Sequence, residues 1–166
     1  MKKWFLPLLT ALLLAGGCGV LGESREDRMA REAQEAQMVR DAVDAGQFTI
    51  SIDRMYPLRG MGRSVSSYSV KVKDGVLHSY LPYIGEAWQV PYGGGHGLNF
   101  DAEIGHYSAA QVDRDSYEIR LYVKTDEDEH LYLLTVFENG RASLDVQSGN
   151  RERISYTGDM VFYPED

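Results

Sequence analysis

Residues 79–100, SYLPYIGEAWQVPYGGGHGLNF, concentrate the residue types that could bind a ligand, with three tyrosines, one tryptophan, one histidine and a glycine cluster at 93–97. A phosphate-binding loop needs a following helix whose N–H groups face the phosphate, and usually a lysine. Residues 98–101 instead alternate as a strand does, and no lysine lies within the twenty residues after Gly97. The glycines therefore predict a tight or flexible turn.

Metal and catalytic motifs are missing from the sequence. The four histidines, His78, His96, His106 and His130, have no H-x-x-x-H or H-E-x-x-H spacing. The sequence has only one cysteine that could join them as a metal ligand. Residues 125–130, TDEDEH, lack the alternating oxygen ligands and the glycine of a calcium loop and are interpreted as a solvated hairpin turn. Carboxylate pairs such as Glu86 and Asp101 leave a glycan hydrolase as an open alternative, but we predict no metal and no cofactor.

Two interpretations of the aromatic residues stay open: cross-strand pairs that stabilise a hairpin, or an exposed binding surface. Pro82 and Pro91 cannot donate to a ladder, so a regular central strand cannot pass through them. We expect Tyr80 and Leu81 to end a strand. We predict that 83–97 is a mobile surface loop that binds a protein or a glycan, with candidate residues Tyr83, Trp88, Tyr92 and His96.

The N-terminus has the pattern of an export signal. Lys2 and Lys3 precede an apolar run at 4–14, and Ala-Gly-Gly leads to Cys18, the only cysteine. Eleven residues at ~1.5 Å each cannot cross a ~30 Å hydrocarbon core, so a spanning helix is disfavoured. The ending resembles a bacterial lipobox. We predict a lipoprotein signal peptide at 1–17, a membrane anchor on Cys18 and a spacer at 18–23.

Charge and length restrict the partners and the architecture. Without Lys2 and Lys3, fifteen basic residues face twenty-five acidic ones, and the formal charge moves from −8 to −10. A phosphate backbone is bound mainly through Lys and Arg, so we exclude nucleic acid as a partner. The 149 residues from Cys18 onward suit one domain that relies on its own core.

A helix is predicted at 24–46. Ser24 is a suitable N-cap with Asp27 at the third position, no Gly or Pro interrupts the segment, and Gly46 can close it. The apolar stripe is narrow: Met29, Ala33, Ala36, Val39 and Val43. Such a helix is marginal alone and needs tertiary contacts.

From residue 47 to 160 apolar residues alternate with polar ones, which predicts about eight or nine strands with one wet face. Turn signals separate them, and Asn139-Gly140 indicates a type I′ hairpin. Short connections favour a meander, and a long meander removes its edges by closing into a barrel of the lipocalin type. The predicted fold class is therefore a mainly β antiparallel meander closing into a barrel behind one N-terminal α-helix, with a two-sheet sandwich as the alternative. Residues 161–166 form a tail.

The predicted interior is bulky: Phe48, Ile50, Ile52, Tyr68, Ile119, Leu121, Leu131, Leu133 and Phe137. Side chains of this size fill the interior of an eight-stranded barrel. A filled interior disfavours the alternative function of a small-ligand carrier. The opposite face of 131–137 is apolar too, through Tyr132, Leu134 and Val136. We expect the N-terminal helix to cover it, because a strand that is apolar on both faces needs a cover.

Three segments resemble a family of bacterial lipoprotein domains of unknown function, family 4251: FTISIDRMYPLRG at 48–60, SYLPYIGEAWQVPYGGGHGLNFD at 79–101 and NRERISYTGDM at 150–160. The resemblance covers residues 39–160. It implies a lipidated, exported β-rich domain from bacteria of the Bacteroides type and brings no catalytic residues. The segment after Cys18, GVLGES, lacks the acidic run that favours surface display in such bacteria. We therefore expect an outer-membrane lipoprotein that faces the periplasm, with a non-enzymatic role in binding or envelope assembly.

Overall fold

The computed structural model describes residues 24–89 and 95–162. The predicted signal peptide at 1–17, Cys18, the spacer at 18–23, Tyr92 and residues 163–166 of the predicted tail lie outside the described residues.

Helix α1, Arg25–Ala45, begins and ends where its capping residues predict. The Ser24 side chain accepts a hydrogen bond from the Asp27 backbone N–H, and Gly46 adopts the left-handed conformation with φ 62°. Within the part of the chain that the structure describes, no helix combines the length and apolar character needed to span a membrane.

Eight antiparallel strands form a closed barrel in which each strand pairs with its neighbours in sequence and β1 pairs with β8. The prediction of a closed meander behind one helix is confirmed, and the sandwich alternative is not adopted. The strands are β1 Phe48–Pro57, β2 Arg63–Lys73, β3 Val76–Leu81, β4 Leu98–Asp113, β5 Ser116–Lys124, β6 Glu129–Phe137, β7 Arg141–Ser148 and β8 Ile154–Met160.

The type I′ turn is not at Asn139-Gly140, so that prediction is wrong. Gly140 has φ 78°, but Asn139 does not have a positive φ, and the Gly140 N–H bonds the Phe137 carbonyl in a three-residue connection. This is the hairpin in which a left-handed glycine follows an ordinary turn. The two-residue connection with both φ values positive, 51° and 77°, is Asp74-Gly75 between β2 and β3.

Barrel closure depends on Gly158, where β8 approaches β1. Gly158 lies opposite Ile52, at the point where a register shift interrupts the β1–β8 pairing. A Cβ atom at position 158 would overlap the Ser51 carbonyl oxygen. Only glycine permits this approach of the two backbones.

The core consists of the inward residues of all eight strands, and the alternation predicted them correctly on β1 and β5. On β6 the prediction is inverted: Leu131 and Leu133 are half-buried and Phe137 is exposed, whereas Tyr132, Leu134 and Val136 are at 0% exposure. Both faces of this strand are apolar, so local sequence could not decide which one turns inward. The pairing with β5 and β7 decides it.

The helix packs against one end of the barrel, which we call the helix end. Val39 and Val43 are fully buried in the main core, whereas Ala33, which was expected to pack there, is exposed. The Tyr107 hydroxyl donates to the Val43 carbonyl (2.6 Å), and Arg40 Nε donates to the Tyr117 hydroxyl (3.1 Å). The helix thus closes the barrel with two valines and tyrosine hydrogen bonds instead of covering a whole strand.

Candidate functional site

The other end of the barrel, which we call the loop end, carries four connections: 58–62, 82–97, 125–128 and 149–153. All four leave the barrel at the end away from the helix, because the strands are antiparallel and joined in sequence order. The predicted binding loop is therefore on the opposite side of the barrel from α1.

Two buried tyrosines fix the points where the loop 82–97 leaves and rejoins the barrel. The Tyr156 hydroxyl donates to the Pro82 carbonyl (2.7 Å). The Tyr132 hydroxyl lies 2.8 Å from Ser79 Oγ, which donates to the Leu98 carbonyl (2.7 Å). Burial raises the pKa of both tyrosines, so the two hydroxyls stay protonated and available as donors.

The first half of the loop is attached to the connection between β7 and β8. The Trp88 N–H donates to the Asn150 carbonyl (2.8 Å), and the Glu152 N–H donates to the Glu86 carbonyl (3.0 Å). Ala87 forms a bridge with Arg151 between these two bonds. Residues 82–89 therefore have a defined backbone, in which the bridge at Ala87 is the longest regular element.

Tyr83 has a structural role in this attachment. Its hydroxyl donates to the Glu86 carbonyl (2.8 Å) and approaches the Glu152 carbonyl (3.2 Å). Burial raises the pKa of the Tyr83 phenol, and the ring is half-buried. The Arg151 guanidinium lies 5.7 Å from the centroid of the ring, within the range of a cation–π contact.

Beneath the loop lies a cluster of buried charges that the sequence did not reveal: Arg151, Glu152 and Asp128, which are 8%, 6% and 7% exposed. Arg151 pairs with Glu127 (3.5 Å) and, at 3.9 Å, with Asp128; Glu152 pairs with Arg59 (3.3 Å). Charges at this depth are tolerated only when they are paired and hydrogen-bonded. The cluster therefore joins all four connections of the loop end.

Asp128 corrects the interpretation of residues 125–130 as a wholly solvated turn. Its carboxylate accepts hydrogen bonds from the backbone N–H groups of Glu129 (2.8 Å) and Asn150 (3.1 Å). His130 is only 1% exposed, bonds Ser148 Oγ (2.8 Å) and stacks on Phe100 at 4.8 Å. Burial lowers the pKa of this histidine, which favours its neutral form.

The remaining predicted site residues differ in environment. Trp88 is 64% exposed, so its ring faces solvent while its backbone is held. His96 is exposed, and its backbone N–H donates to the Glu127 carboxylate (3.1 Å). Tyr80 and Leu81 end β3 as predicted, with Tyr80 exposed and its ring tilted against that of Tyr68, with 5.2 Å between the ring centroids. Three of the four predicted residues, Tyr83, Trp88 and His96, thus lie at one end of the barrel.

Glu86 and Asp101, the two carboxylates that left a hydrolase open, each bond a different residue. Glu86 pairs with Arg59 (2.9 Å), and Asp101 bonds His78 Nδ1 (2.8 Å), so each carboxylate has its own partner. Among residues 24–89 and 95–162, no group of three or more histidine, cysteine or acidic side chains could hold a metal ion. A shallow groove of about 420 Å³ follows the start of β4, and its lining mixes charged, polar and apolar residues.

The fold and the site together define a small, filled β-barrel closed by a helix at one end and by a charged loop cluster at the other. The family model of a domain of unknown function, DUF4251, matches residues 30–160, and the chain belongs to that family. A crystal structure of a DUF4251 family protein from Bacteroides eggerthii DSM 20697 is similar in fold, with a TM-score of 0.61 and 16% sequence identity. The match covers 80% of this chain and 90% of that one. No curated protein matches the sequence.

Proposed function

We propose that this protein is an exported, membrane-anchored lipoprotein that binds a protein or glycan partner through its loop end and catalyses no reaction. The observation that carries the proposal is the position of Trp88. Trp88 is 64% exposed although its backbone N–H is hydrogen-bonded to Asn150, the neighbour of Arg151 in the buried, ion-paired cluster. An exposed tryptophan on a fixed backbone loses little entropy on binding and is among the side chains most enriched in binding hot spots.

The anchor follows from Cys18, which lies six residues before Ser24, the N-cap of α1. Six extended residues span at most ~20 Å, so an acyl group on Cys18 would hold the start of the helix near the membrane. The helix packs on one end of the barrel, and the loop end would therefore face away from the membrane. We further propose the periplasmic face of an outer membrane, since the segment after Cys18 has no acidic run.

A role as a small-ligand carrier has less support, because bulky side chains fill the barrel. Tyr132 and Tyr156, at 0% and 1% exposure, occupy the interior together with leucine, isoleucine and valine residues from every strand. An eight-stranded barrel filled in this way leaves no room for a molecule of ordinary metabolite size.

The test is the double substitution Trp88→Ala with Tyr92→Ala in the full chain, followed by cross-linking in cells and identification of the captured species. We expect the melting temperature to stay within about 2 °C of the wild type and the cross-linked partner to be lost. Phe162→Ala is the matched control, because it removes a 36% exposed aromatic ring at the helix end. A double variant that unfolds would show that these side chains stabilise the fold instead of serving a partner, and a double variant that keeps the partner would refute the proposal.

A further inference from the structure

The tip of the β1–β2 hairpin, residues 54–63, has a charge opposite to that of the whole chain. It contains Arg54, Arg59 and Arg63 and no acidic residue, whereas the chain carries a formal charge of −8. Arg54 and Arg63 are exposed and have no ion-pair partner among the described residues. The tip is therefore a local positive region on an acidic molecule.

The same tip exposes large apolar side chains. Met61 is 87% exposed, Leu58 is 61% exposed and Tyr56 is 38% exposed. Single exposed apolar residues need no explanation, but several on one short hairpin mark an interaction surface. Methionine, tyrosine and arginine are also residue types enriched in protein interfaces.

A salt-bridge pair fixes this tip beside the predicted binding loop. The Arg59 guanidinium bonds Glu86 (2.9 Å) on the loop and Glu152 (3.3 Å) in the buried cluster. Glu152 is 6% exposed, so this end of the contact is anchored in the interior. The loop adds Ile84, 39% exposed, and Trp88, 64% exposed. We call the combined area, residues 54–63 and 84–88, the tip surface.

We propose that the tip surface binds an acidic segment of a partner protein that also carries apolar side chains; this inference rests on the proposed binding function of the loop end. The unpaired Arg54 and Arg63 attract acidic side chains, while the acidic remainder of the molecule repels them, so the charges set the orientation of the complex. The apolar side chains of the tip surface supply the buried contact area.

A protein suits this surface better than a lipid bilayer does. The Glu86 side chain is 64% exposed. It pairs with Arg59 of the hairpin tip and lies two residues before Trp88 on the loop. Insertion into hydrocarbon would strip water from this carboxylate, which is unfavourable for a charged group. At a protein interface the Glu86–Arg59 pair can stay hydrated at the rim, where such pairs are common.

The experiment is selection from a phage library of random 12-residue peptides on the immobilised full chain in detergent, followed by affinity measurement of the selected peptides. We expect peptides with net negative charge and aromatic or aliphatic residues, and binding that weakens as the salt concentration rises. The double variant Arg54→Glu with Arg63→Glu should bind them at least tenfold more weakly. The control is Arg114→Glu with Arg141→Glu, which makes the same charge change at the helix end and should bind normally.

Each alternative outcome has a distinct meaning. Selected peptides without a negative bias, or equal binding to wild type and to the Arg54 and Arg63 double variant, would refute the acidic partner. If Trp88→Ala abolished peptide binding while the Arg54 and Arg63 double variant did not, the proposed binding function would stand without this inference. If neither variant weakened peptide binding, the proposed function and this inference would both be refuted. A Cys18→Ser chain that bound phosphatidylglycerol vesicles through Arg54 and Arg63 would identify a bilayer as the occupant and also refute it.

Discussion

Arg151 offers a quantitative test of the idea that the loop end is held together by its buried charges. The side chain is 8% exposed, and its substitution by methionine would keep most of the volume while removing the charge. Breaking a buried pair by deleting one partner typically costs ~3–5 kcal/mol. The pairs here are long, 3.5 Å to Glu127 and 3.9 Å to Asp128, and the Arg151 Nε has no hydrogen-bond partner. The cost should therefore lie below that range.

Asp128 lowers the expected cost further, because its carboxylate keeps the N–H donors of Glu129 and Asn150 after Arg151 is removed. The lost contact with the Tyr83 ring adds about 0.5–1 kcal/mol. We expect Arg151→Met to lower the free energy of unfolding by about 2–3 kcal/mol. For a domain of this size that corresponds to a fall in melting temperature of roughly 5–10 °C.

The assay is urea unfolding and thermal melting of the full chain carrying Cys18→Ser. Arg153→Met is the matched control, because Arg153 is 52% exposed and its pair with Asp145 (2.8 Å) should contribute less than ~1 kcal/mol. If Arg151→Met cost no more than Arg153→Met, the buried charges would not hold the loop end together, and that part of the reasoning would be wrong.

Three further predictions concern the anchor and the helix end. Cys18→Ser should abolish fatty-acid labelling and membrane fractionation; a variant that still pelleted with membranes and resisted carbonate extraction would contradict the anchor. Deletion through Ala45 removes the buried Val39 and Val43, and burial of each valine contributes about 1.5–3 kcal/mol to stability. The melting temperature should therefore fall by several degrees while the barrel still folds. An unchanged melting temperature would show that the helix contributes nothing to stability. Burial raises the pKa of Tyr107 to about 12, above the ordinary ~10, so its contribution to stability is present below pH 10 and is lost as pH rises to 12. Tyr107→Phe should show a shallower loss over that window in urea titrations, and an identical slope would argue against the shift.

Local sequence patterns were sufficient for most elements of the barrel. Ser24 and Gly46 delimit α1 because capping depends on a few neighbouring residues. Strict alternation identified the inward residues of β5, such as Ile119 and Leu121, because one face of that strand is polar. The alternation failed on β6, because both faces of that strand are apolar and the pattern does not distinguish the inward face from the outward one.

The turn chemistry was only partly readable from the sequence. Asn139-Gly140 has the composition of a type I′ turn, yet Glu138 joins it in a three-residue connection, so the loop length and not the dipeptide sets the conformation. Asp74-Gly75 forms the two-residue turn with both φ values positive, because β2 and β3 are paired up to the residues on either side of it.

By itself the sequence determined the mainly β class and the helix with its caps. Each of these depends on residues close together along the chain. Only the tertiary structure decided that Arg151, Glu152 and Asp128 are buried and paired, since their partners Arg59 and Glu127 come from other connections. The same closure of the barrel brings the arginine-rich hairpin tip beside the loop of Trp88. Burial of a charge depends on partners distant in sequence, and no local pattern encodes them.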